Sequence, residues 1–116
     1  MIRIEEYITE DGTSPFADWF ESLDARAANK VNTYLTRIAG GSTSSLKSLK
    51  GALQEVRINW GPGYRIYVGR DGNTLIILLG GGTKQRQQKD IDKAAELWEE
   101  YKKRKKDSDH GDHTRL

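Results

Sequence analysis

Ile2, Ile4 and Ile8 alternate with charged neighbours, the pattern of a half-buried strand, which Asp11-Gly12 ends. Ser14-Pro15 then reads as a helix cap followed by proline at the first helical position, where a missing N–H costs nothing. Phe16, Trp19, Phe20 and Leu23 follow at i, i+3, i+4 and i+7, one apolar helical face. Asp24 can cap a second helix with the stripe Ala28, Val31, Leu35 and Ile38, which Gly40-Gly41 closes. These two predict a helical hairpin, and the serine-rich stretch 41–48 reads as a mobile loop.

From Leu53 to Trp60 the alternation returns, with Val56, Ile58 and Trp60 on one side and Glu55, Arg57 and Asn59 on the other. Gly61-Pro62-Gly63 and Asp71-Gly72-Asn73 are turns that bracket a strand from Tyr64 to Gly69. Thr74 to Leu79 is nearly all aliphatic and predicts a central strand covered on both faces. The three strands make an antiparallel meander. After Gly80-Gly81-Gly82, a helix from about Gln85 to Arg104 is expected to bury Ile91, Ala94, Ala95 and Trp98. Residues 105–116 carry no core residue until the end and predict a disordered tail behind a single domain over 1–104. The order β-α-α-β-β-β-α is that of an α+β domain, a small, mostly antiparallel sheet packed against a helical hairpin and a C-terminal helix.

Composition narrows the chemistry. At 116 residues, 35% hydrophobic and 31% charged, the chain suits one polar domain. It has no cysteine, which excludes disulfides, a thiol nucleophile, thiolate-bound zinc and iron–sulfur clusters. No run approaches the roughly 18 apolar residues of a membrane span, and no signal-peptide core is evident, so a soluble cytoplasmic protein without membrane contact is expected. The net charge of +2 is unevenly distributed. Residues 47–89 carry eight positive groups (Lys47, Lys50, Arg57, Arg65, Arg70, Lys84, Arg86, Lys89) against only Glu55 and Asp71. A positive field confined to one segment attracts phosphates.

Parity sharpens this. If Val56 and Ile58 share a face with Tyr64, Ile66 and Val68, one allowed register sets Arg57 opposite Arg65, and the next sets Arg57 opposite Tyr67. In both registers two guanidinium groups and a tyrosine project from one side of the sheet. Like charges facing each other are destabilising, so the pair points either to an absent polyanion or to a solvated face with Glu55 as counter-ion. Lys84 and Arg86 follow the triglycine, but Gly80-Gly81-Gly82-Thr83-Lys84 lacks the spacing of a nucleotide-binding P-loop. His110 and His113 lie in the expected tail, so neither a structured histidine base nor a metal site is predicted, and no cofactor is implied. Asp90 and Asp92 open the last helix, where acids complement the macrodipole.

Leu49-Lys50-Gly51, Leu53-Gln54-Glu55-Val56-Arg57-Ile58, Gly61-Pro62-Gly63-Tyr64-Arg65-Ile66-Tyr67, Leu78-Leu79-Gly80-Gly81-Gly82-Thr83-Lys84 and Gln88-Lys89-Asp90-Ile91-Asp92-Lys93-Ala94, in this element order, resemble the RelE/ParE superfamily of type II toxins. They are most similar to its HigB-like, phage-associated killer-protein group, over residues 1 to about 104. The resemblance implies a RelE-like fold and a toxin that cuts mRNA on the 70S ribosome without a metal, through attack of a 2′-hydroxyl on the adjacent phosphate. It also implies a cognate antitoxin of helix-turn-helix type, with operator DNA reached only through the antitoxin complex. Carried over by residue, Arg65 matches the Gly-Tyr-Arg arginine that stabilises phosphate, and Arg57 and Lys84 complete the catalytic set. Arg86, Lys47, Lys50, Tyr67 and Lys89 are the further RNA-binding candidates. Where some relatives place a tyrosine or histidine near the C-terminus, this chain offers Gln87, Gln88 and Asp90, which leaves the general base open. ParE-type toxins share the fold and poison gyrase instead, and a non-catalytic module acting with its antitoxin on DNA is the third reading.

Overall fold

Ser14 begins the first helix as its sequence requires: its hydroxyl oxygen accepts from the Ala17 N–H at 3.0 Å, with Pro15 in the first turn. In the computed structural model the elements run β1 (Arg3–Glu6), α1 (Pro15–Glu21), α2 (Ala25–Ala39), β2 (Leu46–Lys50), β3 (Leu53–Ile58), β4 (Tyr64–Asp71) and β5 (Leu75–Thr83). A short 3-10 turn (Lys84–Arg86) then leads into α3 (Gln87–Thr114). The structure describes the backbone of residues 1–114 and the side chains of residues 1–108. Asp24 caps α2 through the Ala27 N–H at 2.9 Å.

The sheet is five-stranded and mixed, in the order β1-β5-β4-β3-β2. β2 to β5 form an antiparallel run, and β1 pairs in parallel with β5, Ile4 standing beside Ile76. The meander therefore has one strand more than the hydrophobic pattern predicts, because part of the expected loop 41–48 is strand. Leu46-Lys-Ser-Leu-Lys is an edge strand, and its lysines hide the alternation while discouraging further strand pairing. Strand β5 is flanked on both sides as expected, with Ile76, Ile77, Leu78 and Leu79 all buried.

Two apolar layers cover the sheet. On one face Phe16, Val31 and Ile38 of the hairpin pack on Val56, Ile58, Ile66, Val68, Ile76 and Leu78. On the other, Ala94, Leu97 and Trp98 of α3 pack on Leu53, Tyr67, Ile77 and Leu79. Gly69 makes the second layer possible: a Cβ there would lie 2.2 Å from the Trp98 ring, so only a glycine lets the indole rest on β4.

α3 continues beyond Arg104, where a disordered tail was expected to begin. Its far side is tied to the β4–β5 turn, where the Asp71 carboxylate accepts from Tyr101 Oη at 2.6 Å and from Lys105 Nζ at 2.7 and 2.8 Å. Arg104 reaches the Ile8 carbonyl at 2.7 Å and Tyr7 Oη at 3.1 Å. His110 and His113 lie outside the described side chains, and residues 115–116 outside the described backbone. Lys105 and then Tyr101 hold the Asp71 carboxyl below the ordinary aspartate range. A carboxylate with a depressed folded-state pKa stabilises above its unfolded pKa, and that stabilisation is lost as pH falls through the folded value. Asp71→Asn is therefore expected to melt below the wild type near neutrality. The gap should close on acidification below about pH 4, as melting curves across pH would record. Among the described residues, no helix is long and apolar enough to cross a membrane.

Candidate functional site

The β3–β4 hairpin builds the site. Gly61-Pro62-Gly63 turns the chain, with Gly63 at φ 78°, a conformation that L side chains seldom adopt. The resulting register sets Arg57 opposite Arg65, and β5 adds Gly82 beside Arg65. One row deeper, Lys47, Glu55, Tyr67 and Gly80 stand side by side across β2, β3, β4 and β5. Both rows lie on the α3 face.

Arg65 is only 6% exposed. Its Nη1 donates to the Gly63 carbonyl at 3.3 Å, and its Nε is buried with no hydrogen-bond partner. The Lys84 N–H also donates to the Gly63 carbonyl, at 2.9 Å. A Cβ built on Gly63 would lie 3.5 Å from both Arg65 Nη1 and Lys84 Cβ, so the Arg65 guanidinium and the base of the Lys84 side chain both border this turn. Arg57, whose side chain is 43% exposed, donates from Nε to Glu55 Oε2 at 2.6 Å. Glu55 is fully buried, and its other oxygen accepts from Gln87 Nε2 at 3.0 Å. The counter-ion reading of Glu55 is thus realised for Arg57, but in a buried setting rather than a solvated one. Glu55 fixes Arg57 and ties β3 to the first turn of α3, while Arg65 has no ion-pair partner among the described residues.

Two expectations change here. Tyr67 does not face solvent: it is 1% exposed beneath α3, so it cannot stack on an RNA base. Strand parity put it on the correct side, but the helix that covers that side is more than twenty residues away in sequence. Burial, with Asp90 and Glu55 nearby, pushes its phenol pKa upward, so it stays protonated. Lys50 stands apart. It pairs with Leu53, roughly 13 Å along β3 from Arg57 at about 3.3 Å per residue. There it borders a cavity of about 270 Å³ with Trp98, Glu99 and Lys102.

Arg86 and Lys89 are exposed and, with Gln85 and Gln88, line a shallow hollow of about 490 Å³ where the 3-10 turn meets α3. Lys47 is exposed on the edge strand beside Glu55. The structure therefore gathers Arg57, Arg65 and Lys84, flanks them with Arg86, Lys89 and Lys47, leaves Lys50 at a second place and buries Tyr67. Asp90, read from sequence as a helix-dipole acid, also belongs here. A Cβ on Gly82 would lie 1.9 Å from its Oδ2, so the carboxyl covers the backbone of the residue paired with Arg65. Burial raises the Asp90 pKa, and Arg86 offsets part of that rise. Glu55 and Gln87 carried no unambiguous signal beyond their spacing. Among the described residues, no three His, Cys, Asp or Glu side chains gather as a metal-binding group.

The fold and this basic corner define an α+β protein with a mixed five-stranded sheet covered by α1 and α2 on one face and by the C-terminal helix on the other. No family model matches the chain. It is 38% identical over 89 residues to a Haemophilus influenzae protein described as uncharacterized, an alignment that spans 76% of this chain and 90% of that protein. The chain belongs to the family of that protein.

Proposed function

We propose that this protein is a RelE-like toxin of the HigB-like group, a ribosome-dependent mRNA endoribonuclease silenced by a cognate antitoxin. The observation that carries the reading is the cluster of Arg57, Arg65 and Lys84, drawn from two strands and the 3-10 turn and served by a single buried carboxylate. Arg57 and Arg65 face each other across the hairpin, and a phosphodiester relieves the repulsion between such facing cations. In this reading the nucleotide's own 2′-hydroxyl is the nucleophile, and the products are a 2′,3′-cyclic phosphate and a 5′-hydroxyl. Arg65 binds the scissile phosphate and stabilises the charge that develops on it, while Arg57, oriented by Glu55, holds a flanking phosphate. Arg86, Lys89 and Lys47 track the backbone on either side. The same corner is the surface that an antitoxin has to cover.

The test is a cell-free translation reaction with antitoxin-free protein and a no-ribosome control, with mRNA ends mapped by primer extension. New ends within A-site codons, formed only during translation, are expected. An intact message from a protein that still arrests growth would overturn the reading and make gyrase supercoiling the next assay. An intact message and no growth arrest would leave a module that acts only with its antitoxin.

A further inference from the structure

Proton transfer needs a base, and the arginines of the cluster keep their protons at ordinary pH. Two carboxylates border the cluster. Glu55 is sealed, with no exposure and both oxygens engaged, one by Arg57 and the other by Gln87. Asp90 is different. It is half-buried on the first turn of α3, and among the described residues its carboxylate accepts no hydrogen bond. It lies across Gly82, directly beside the Arg65 strand position, and glycine is the only residue that leaves room for it there. The neighbouring positions of β4 carry two buried polar groups without partners, Arg65 Nε and Tyr67 Oη, on residues 6% and 1% exposed. A helix-dipole role accounts for an acid in this turn but not for the gap in β5 that receives it.

We propose that Asp90 is the general base of the cleavage reaction and that Gly82 exists to admit its carboxylate. The inference rests on the endoribonuclease reading. In the step, the Asp90 carboxylate takes the 2′-hydroxyl proton as the O2′–P bond forms. The P–O5′ bond breaks with its electron pair on O5′, which takes a proton from the Lys84 ammonium. Solvent then returns both side chains to their starting states. The charged and titratable groups facing Asp90 are Arg86 from the 3-10 turn and Tyr67 from β4, with Arg65, Arg57 and Glu55 in the same field around Tyr67. Burial of its charge favours the protonated form, so proton uptake in the step is eased.

The experiment uses programmed ribosomes carrying a synthetic mRNA with the scissile nucleotide in the A site, with either an ordinary linkage or a bridging 5′ sulfur. A sulfur leaving group needs no proton, so it bypasses the acid but not the base. Asp90→Asn is expected to lose about 100-fold or more in single-turnover rate, to melt no lower than the wild type, and to stay slow on the sulfur substrate. Lys84→Ala is expected to be slow on the ordinary linkage and restored on the sulfur one. Gly82→Ala, which displaces the Asp90 carboxyl without removing it, is expected to fold and to be slow on both. A wild type that cuts neither substrate would overturn the function itself. A wild type that cuts, beside an Asp90→Asn variant within threefold of it or rescued by sulfur, would overturn this inference alone.

Discussion

Arg65→Ala is expected to keep its fold and to lose between about 100- and 1,000-fold of its cleavage rate, the scale of removing one preorganised donor from a developing oxyanion. The direction for stability follows from its surroundings. Arg65 makes one hydrogen bond, a 3.3 Å contact to the Gly63 carbonyl, and its Nε has no partner, so little is left unsatisfied when the side chain goes. Its removal also relieves the repulsion from Arg57 across the hairpin. A desolvated guanidinium without a counter-ion is costly in the free protein and valuable once a phosphate arrives. Arg65→Lys should recover only part of the rate, because an ammonium cannot make the planar, two-pronged contact. Primer extension beside a melting curve measures both quantities. A folded Arg65→Ala variant that cuts at the wild-type rate would remove Arg65 from the site.

The second large effect is on stability. Trp98→Ala should cost about 3–5 kcal/mol, as expected for truncating a buried aromatic, out of the roughly 5–15 kcal/mol that holds a domain together. For a chain of this size that lowers the melting temperature by on the order of 12–20 °C. The indole, 6% exposed, rests on Gly69 and stacks on Tyr101 with centroids 5.2 Å apart and planes 7° from parallel. The Lys102 ammonium lies 5.7 Å from its ring centroid. Gly69→Ala approaches the same contact from the sheet side and should also destabilise, because its methyl group would enter the ring. Calorimetry would find a Trp98→Ala melting temperature within about 4 °C of wild type only if α3 were held mainly by its other contacts.

Local pattern carried the elements that bury a regular stripe. Ser14-Pro15 and Asp24 marked both helix starts, and the glycine-proline turn with the parity of Val56, Ile58 and Ile66 narrowed the hairpin to two registers, one of which forms. Residues whose role depends on a distant element were harder to read. β2 is polar because it is an edge, and its lysines resemble those of a loop. Tyr67 looks exposed until α3 is laid over it, and Glu55 looks like a surface acid until Gln87 closes its second oxygen. The role of Gly82 depends on the carboxylate above it, which comes from the next element.

The parallel pairing of β1 with β5 has a consequence for how the protein is made. Arg3 is synthesised well before its partner, Leu75. β1 must wait for β5 before it can join the sheet, a long-range closure of the kind that slows folding. α3, which brings Gln87 and Asp90 to the hairpin, comes later still. A growing chain thus cannot assemble the corner that holds Arg57, Arg65 and Lys84 in company with α3. The corner can first close when α3 has been made, not when the β3–β4 hairpin appears.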